Sequence, residues 1–195
     1  MTIELKWGIP KGQNRRVARI IYDAFEHKFR YTLGPREKAI ALISSQINDK
    51  FALVALKNDE IIGIAGARTI EGELIESKLI PLLRTYHICA LRNLVVALPF
   101  LLDRKWKGVF ELNYLSVTRE ARGHGVGTRI IKEFIRYAKS QGFLYVLLDV
   151  VDENARAKAL YERLGFKTVK HEKVPRPWSF LLGFTGVSKM VYPLI

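Results

Sequence analysis

The sequence predicts a single α/β domain on a mixed β-sheet, on three observations. Helix-like and strand-like stretches alternate along the chain. Residues 143–151 form a nearly continuous apolar run, the pattern of a strand buried on both faces. The chain has 195 residues, 49% hydrophobic and 26% charged, which suits one domain with a sizeable core and not two.

The elements follow in order. Residues 14–29 carry apolar positions at Val17, Ile20, Ile21, Ala24 and Phe25, which is helical spacing. Gly34-Pro35 interrupts, and 36–47 reads as a second short helix. Two β-prone runs, 51–57 and 60–66, flank Asn58-Asp59 and predict a hairpin. Residues 70–108 are largely apolar, with 82–98 apolar on nearly every side. A strand is expected over 109–117, then a glycine-rich stretch at 122–127. Residues 128–140 read as an amphipathic helix with Ile130, Ile131, Phe134, Ile135 and Ala138 as its stripe and Gly142 beyond its end. After the 143–151 strand come a helix over 154–164 closed by Gly165, and strands over 167–174 and 187–193. No internal repeat or low-complexity linker divides the chain, so 1–195 is expected to be one domain.

Bulk properties exclude several classes. Cys89 is the one cysteine, so an intramolecular disulfide and a cysteine-rich metal site are excluded, and it reads as a small buried hydrophobe. The first residues, Met1 to Lys6, have neither the basic nor the apolar region of a signal peptide. The longest uncharged apolar run, 94–102, falls well short of the roughly 20 residues a membrane-spanning helix needs. The expected setting is therefore cytoplasmic. Net charge is +13, with a pI near 9.9. Such a surface attracts anions, but its Lys and Arg are scattered rather than gathered into an arm.

Chemistry concentrates at Arg122-Gly123-His124-Gly125-Val126-Gly127. A helix N-terminus offers free backbone N–H groups and partial positive charge to a phosphate. Glycine lets the backbone approach an anion closely. The glycines alone fit a simple turn into a helix equally well. The stretch is neither a P-loop, lacking Gly-Lys-Ser/Thr, nor a dinucleotide fingerprint, whose glycines are spaced differently.

The stretch resembles the Arg/Gln-x-x-Gly-x-Gly/Ala pyrophosphate loop of the GCN5-related N-acetyltransferase (GNAT) family. The run from Glu111 to Val117 is similar to that family's central strand. Residues 154–166, Asn-Ala-Arg-Ala-Lys-Ala-Leu-Tyr-Glu-Arg-Leu-Gly-Phe, are similar to its Asn…Leu-Tyr-Glu-x-Leu-Gly-Phe helix. The resemblance covers about 109–166. It implies a mostly antiparallel twisted sheet flanked by helices, whose central strands splay to admit acyl-CoA. It further implies acetyl-CoA as donor, with backbone groups of Leu115, Ser116 and Val117 on the pantetheine arm. Arg122, Gly123, His124, Gly125, Val126, Gly127 and Thr128 would surround the pyrophosphate. Asn154 would touch the pantetheine, or act simply as a helix N-cap.

Acyl transfer needs a neutral amine, and for a lysine-like group with a pKa of ~10.4 only on the order of one in a thousand is neutral at pH 7. A base is therefore expected. Through the resemblance the candidate is Glu111, with a solvated glutamate at a strand start as the plain alternative. Strand parity would set it on one face with Asn113, Leu115 and Val117. A backbone N–H near Leu115 or Val117 would hold the oxyanion. Tyr161 matches the family tyrosine that can protonate the departing thiolate, or it is an aromatic packing residue. His27, His87 and His171 show no ligand spacing, so no metal is expected.

The apolar 70–108 segment reads as a helical insertion. It serves core or homodimer packing, a lid over an acceptor pocket, or contact with an anionic membrane surface. Trp178, Phe180 and Phe184 line the acceptor site or the core. The leading expectation is an N-acetyltransferase acting on a primary amine. A non-catalytic acyl-CoA-binding module is the alternative, and nucleic-acid binding lacks a recognition helix or aromatic-basic stripe. Neither the acceptor nor the acyl length is legible.

Overall fold

The computed structural model describes residues 3–76, 105–176, 179 and 183–195. Most of the apolar segment at 70–108 lies outside these residues. So do Cys89, His87, Trp178, Phe180 and the side chain of His27.

Asn58 and Asp59, with φ of 50° and 61°, make the left-handed pair that a two-residue hairpin requires. They join β2 (Ala52–Lys57) to β3 (Glu60–Arg68). β1 (Glu4–Trp7) pairs antiparallel with β2, and β4 (Val109–Val117) pairs antiparallel with β3. β5 (Tyr145–Val151), β6 (Lys167–Lys173) and β7 (Gly186–Pro193) complete a seven-stranded sheet of order β1-β2-β3-β4-β5-β7-β6. Every pairing is antiparallel except β4 with β5. This is the mixed, mostly antiparallel α/β sheet that the sequence predicts.

Helices cover both faces. α1 (Asn14–Ala24), α2 (Glu26–Leu33) and α3 (Arg36–Gln46) build one core, in which Ile21, Ile40 and Ile43 meet Val54 and Ile64. On the other face α4 (Val126–Ser140) and α5 (Ala155–Arg163) build a second core. There Phe134, Ile130 and Tyr161 join Phe110, Leu148 and Met190. Burial of these side chains is the main stabilising term, at roughly 25 cal/mol per Å² of apolar surface removed from water.

Among the helices, two details differ from expectation. The single helix expected over 14–29 breaks at Phe25, whose φ of −119° leaves the helical region. The break stands the Phe25 ring edge-on to Tyr114 at 5.6 Å and to Phe29 at 6.2 Å. The fourth helix starts at Val126, two residues before the expected 128, so it begins inside the glycine stretch.

The sheet is divided at its centre. β4 carries a bulge: Gly66 pairs with Tyr114 and Ala67 with Leu112, so Asn113 is an extra residue. A bulge bends its strand and raises the local twist. Parallel pairing with β5 runs from Val109–Tyr145 to Leu112–Leu148 and stops there, although β4 continues to Val117 and β5 to Val151. The two strands therefore splay from residue 113 onward.

Gly66 lies against the bulge. A Cβ there would come within 2.6 Å of Leu74 Cδ2 and 3.0 Å of Tyr114 Cδ2. At Gly127 the nearest atom would be 3.8 Å away. Gly66→Ala should lower unfolding stability by about 1–3 kcal/mol through overpacking. Gly127→Ala, at a helical site with room, should instead leave it equal or raise it by up to about 1 kcal/mol. Urea denaturation midpoints of the two variants check this contrast.

Candidate active site

The bulge decides which side chains share a face. Before it, Phe110 and Leu112 enter the α4/α5 core, and Glu111 points the other way. After it, Leu115 and Val117 pack toward the α4/α5 core. Tyr114 joins the α1–α3 core, and Ser116 donates its Oγ–H to the carbonyl of Ile20 in α1 at 3.3 Å. Glu111 therefore shares a face with Tyr114 and Ser116. The expected parity with Leu115 and Val117 fails, because Asn113 shifts the alternation by one.

Glu111 is not solvated. Its carboxylate accepts from Arg68 Nε at 3.0 Å and from Nη2 at 2.7 Å, across the β3–β4 rung that joins the two residues. Both side chains are only 9% exposed. A two-pronged guanidinium across one rung holds the carboxylate in a fixed orientation.

Glu73 neighbours this pair. Its backbone forms an antiparallel β-bridge with Arg68, and its carboxylate lies 3.3 Å from Lys105 Nζ and accepts from Asn113 Nδ2 at 3.4 Å. Burial pushes the Tyr114 hydroxyl up to about 12, with Glu73 adding and Arg68 opposing. Tyr114 is therefore a neutral phenol at physiological pH.

On the α4/α5 side of the split lies the glycine stretch. Gly123 and Gly125 have φ of 80° and 76°, in the left-handed region where a side chain is strained. Gly125 is the N-cap of α4 and no side chain caps that end. The first helical bond runs from Arg129 N–H to Gly125 O, so the N–H groups of Val126, Gly127 and Thr128 have no partner within the helix. Arg122 Nε donates to the Val117 carbonyl at 3.0 Å, which ties the loop to the end of β4. His124 is exposed, and its Nδ1 lies 2.9 Å from the Arg122 carbonyl oxygen. Together these leave helix-end N–H groups and partial positive charge beside the splayed strands, an arrangement that could accept an anion.

Asn154 and Tyr161 lie on α5 or at its start. Asn154 is the N-cap, its Oδ1 accepting from Ala157 N–H at 3.2 Å. Tyr161 is buried against Phe166, and burial pushes its hydroxyl up to about 12. It keeps its proton at neutral pH and can donate. His171 sets Nε2 at 3.0 Å from both oxygens of Asp152, packed over Gly186 where a Cβ would clash at 2.2 Å. That contact fastens β6 to the end of β5.

Sequence reasoning missed two residues. Arg68 lies two places beyond the expected end of its strand. Asp149 sits inside the apolar 143–151 run, which masks its single charge. It is the first β5 residue after pairing with β4 ends. It faces away from α4 and α5 and contacts Lys189 of β7 at 3.3 Å. A charged residue within a buried run was the available signal.

Residues 16–166 match the family described as "Acetyltransferase (GNAT) family". Among curated proteins, N-acetyltransferase 8B of Homo sapiens is 37% identical over 57 residues, 29% of this chain and 25% of that protein. Thialysine N-epsilon-acetyltransferase of Bos taurus is 41% identical over 61 residues, 31% of this chain and 36% of that protein. These stretches span between a quarter and about a third of the relatives' length. Among solved structures, a crystal structure described as an acetyltransferase covers 98% of this chain and all of its own, with a TM-score of 0.66 at 18% identity. The NatC complex bound to Gag peptide and CoA contains a chain that matches with a TM-score of 0.60 at 15% identity, covering 100% of each. At such identity these structural likenesses speak to the fold.

The buried pair gives a stability test. Arg68→Met alone leaves the Glu111 carboxylate buried without its guanidinium and should cost about 3–5 kcal/mol. The double variant Arg68→Met/Glu111→Leu should recover most of that loss. Chemical denaturation of the wild type and both variants reads the difference.

Proposed function

Because the chain belongs to the acetyltransferase (GNAT) family, we propose that it transfers an acetyl group from acetyl-CoA to a primary amine by direct attack on the thioester. The observation that carries this reading is the splay of β4 from β5 beside an uncapped helix N-terminus. Splayed strands leave backbone groups without sheet partners, and an uncapped helix end leaves N–H groups free. A pantetheine arm and a pyrophosphate complement those two features. The donor is the cofactor bound in the NatC structure, CoA, in acylated form.

In this reading 122–128 hold the pyrophosphate, and backbone groups of Leu115, Ser116 and Val117 hold the arm. Asn154 spends Oδ1 on its helix and has its amide N–H groups to offer. The acceptor approaches from the face that carries Glu111 and Tyr114. The amine nitrogen bonds to the acetyl carbon as the carbon–sulfur bond breaks. One amine proton passes to a base, and the sulfur leaves as thiolate and then takes up a proton.

We assign the base to Glu111, acting through a water. A positioned base is worth roughly 10²–10⁴ in rate. A β4 backbone N–H near the bulge would hold the oxyanion. Tyr161 donates a hydrogen bond to the sulfur. With a phenol near 12 and a thiol usually near ~8.5, full proton transfer to the thiolate is uphill, so its contribution is modest. A second reading has support in Asp149, the more exposed carboxylate at the split: it takes the base role if Glu111 proves dispensable.

Two measurements test this. Gly125→Asp puts a carboxylate where the pyrophosphate would lie. It should weaken acetyl-CoA binding by about tenfold or more, read by calorimetry. Glu111→Gln should cut amine-dependent thiol release by about 10²–10⁴ while acetyl-CoA still binds. Binding without amine-dependent thiol release in the wild type would instead favour a non-catalytic acyl-CoA-binding module.

A further inference from the structure

Carboxylates around the split each have their own cation. Glu111 has Arg68, Glu73 has Lys105, and Asp149 has Lys189. A plain alkylammonium ion docking on one of these carboxylates would displace a lysine or arginine and leave it without its partner. An acceptor bearing both an ammonium and an anionic group exchanges with such a pair and leaves no charge over. It replaces one ion pair by two charge-assisted contacts.

The Asp149–Lys189 pair is the one built for this exchange. It is the most open of the three, with Asp149 38% and Lys189 31% exposed in the side chain. It bridges a directly opposed rung of β5 and β7, one residue past the point where β4 and β5 part. Val146, Leu148, Val150 and Met190 point into the α4/α5 core, so Asp149 and Lys189 lie on the opposite face. Leu147 and Val151 flank Asp149 on its strand, and Val187 and Val191 flank Lys189 on the next. Along β5 and β7 the frame around the two charges is therefore apolar, while on β6 Lys170 stands directly opposite Lys189 and pairs with Glu172. The apolar frame lowers the local dielectric and offers surface to an aliphatic or aromatic substituent.

We propose that the Asp149–Lys189 pair recognises the acceptor, and that the acceptor is a small zwitterionic amine with an apolar side chain. Asp149 receives the ammonium group, and Lys189 receives a carboxylate or similar anion one or two carbons away. This rests on the acetyl-transfer reading above and adds the substrate class to it.

The test uses the full chain, acetyl-CoA and matched acceptors, read as free-thiol release: leucine against isopentylamine and against leucinamide, and phenylalanine against phenethylamine. The amino acids should exceed their decarboxylated and amidated counterparts in kcat/KM by roughly tenfold or more. Lys189→Met should remove that preference by lowering kcat/KM for the amino acids alone, and Lys189→Arg should keep it. Equal or better rates with isopentylamine or leucinamide overturn the proposal and leave acetyl transfer standing, the leucinamide result pointing to a peptide N-terminus. A Lys189→Met variant that lowers all acceptors alike overturns it too. Absence of release with either amino acid, while calorimetry shows acetyl-CoA bound, sinks this inference alone. Absence of acetyl-CoA binding removes the acetyl-transfer reading and this one with it.

Discussion

One extra residue organises this protein. Asn113 has no counterpart on β3, so β4 must bend and twist to accommodate it. Three consequences follow at that point. Pairing with β5 ends, the alternation of β4 side chains reverses, and the end of β4 is carried to where Arg122 can bond its last carbonyl. Without the bulge, Tyr114 and Ser116 would turn toward α4 while Glu111 kept its place. The split of the sheet and the turn of Tyr114 and Ser116 onto the face of Glu111 thus have one geometric cause.

Burying Arg68 and Glu111 carries a desolvation cost that their mutual attraction roughly offsets, so the pair is weak evidence for stability. What it does is fix geometry. A two-pronged guanidinium across a single rung holds a carboxylate in one orientation beside the bulge. With Glu73–Lys105 and Asp149–Lys189, the surroundings of the split carry charges of both signs on a chain that is strongly basic overall. Local balance within a positive exterior suits a phosphate-rich donor arriving on the α4 side and a dipolar acceptor arriving on the other.

Features written in short sequence windows were legible. Asn58-Asp59 names its hairpin, the Ile130–Ala138 stripe its helix, and the alternating glycines the left-handed turns that lead into α4. β1 is absent from the sequence expectations: at four residues, its alternation of Leu5 and Trp7 with Glu4 and Lys6 is too short to stand out. The bulge was not legible. It is a mismatch between two strands separated by more than forty residues, and neither strand announces it alone. The parity assigned to Glu111 failed for that reason. Arg68 stayed hidden because its strand runs two residues past the apolar pattern. Asp149 stayed hidden because an apolar run absorbs a single charge.

In the proposed reading, the gap opened by Asn113 receives the pantetheine arm while the start of α4 receives the phosphates. Amide hydrogen exchange of the whole protein with and without saturating acetyl-CoA tests it most directly. The account predicts added protection in two stretches, 113–117 on β4 and 125–128 at the start of α4, with little change in the β2–β3 hairpin. Protection confined to other elements, or none at saturation, would contradict it.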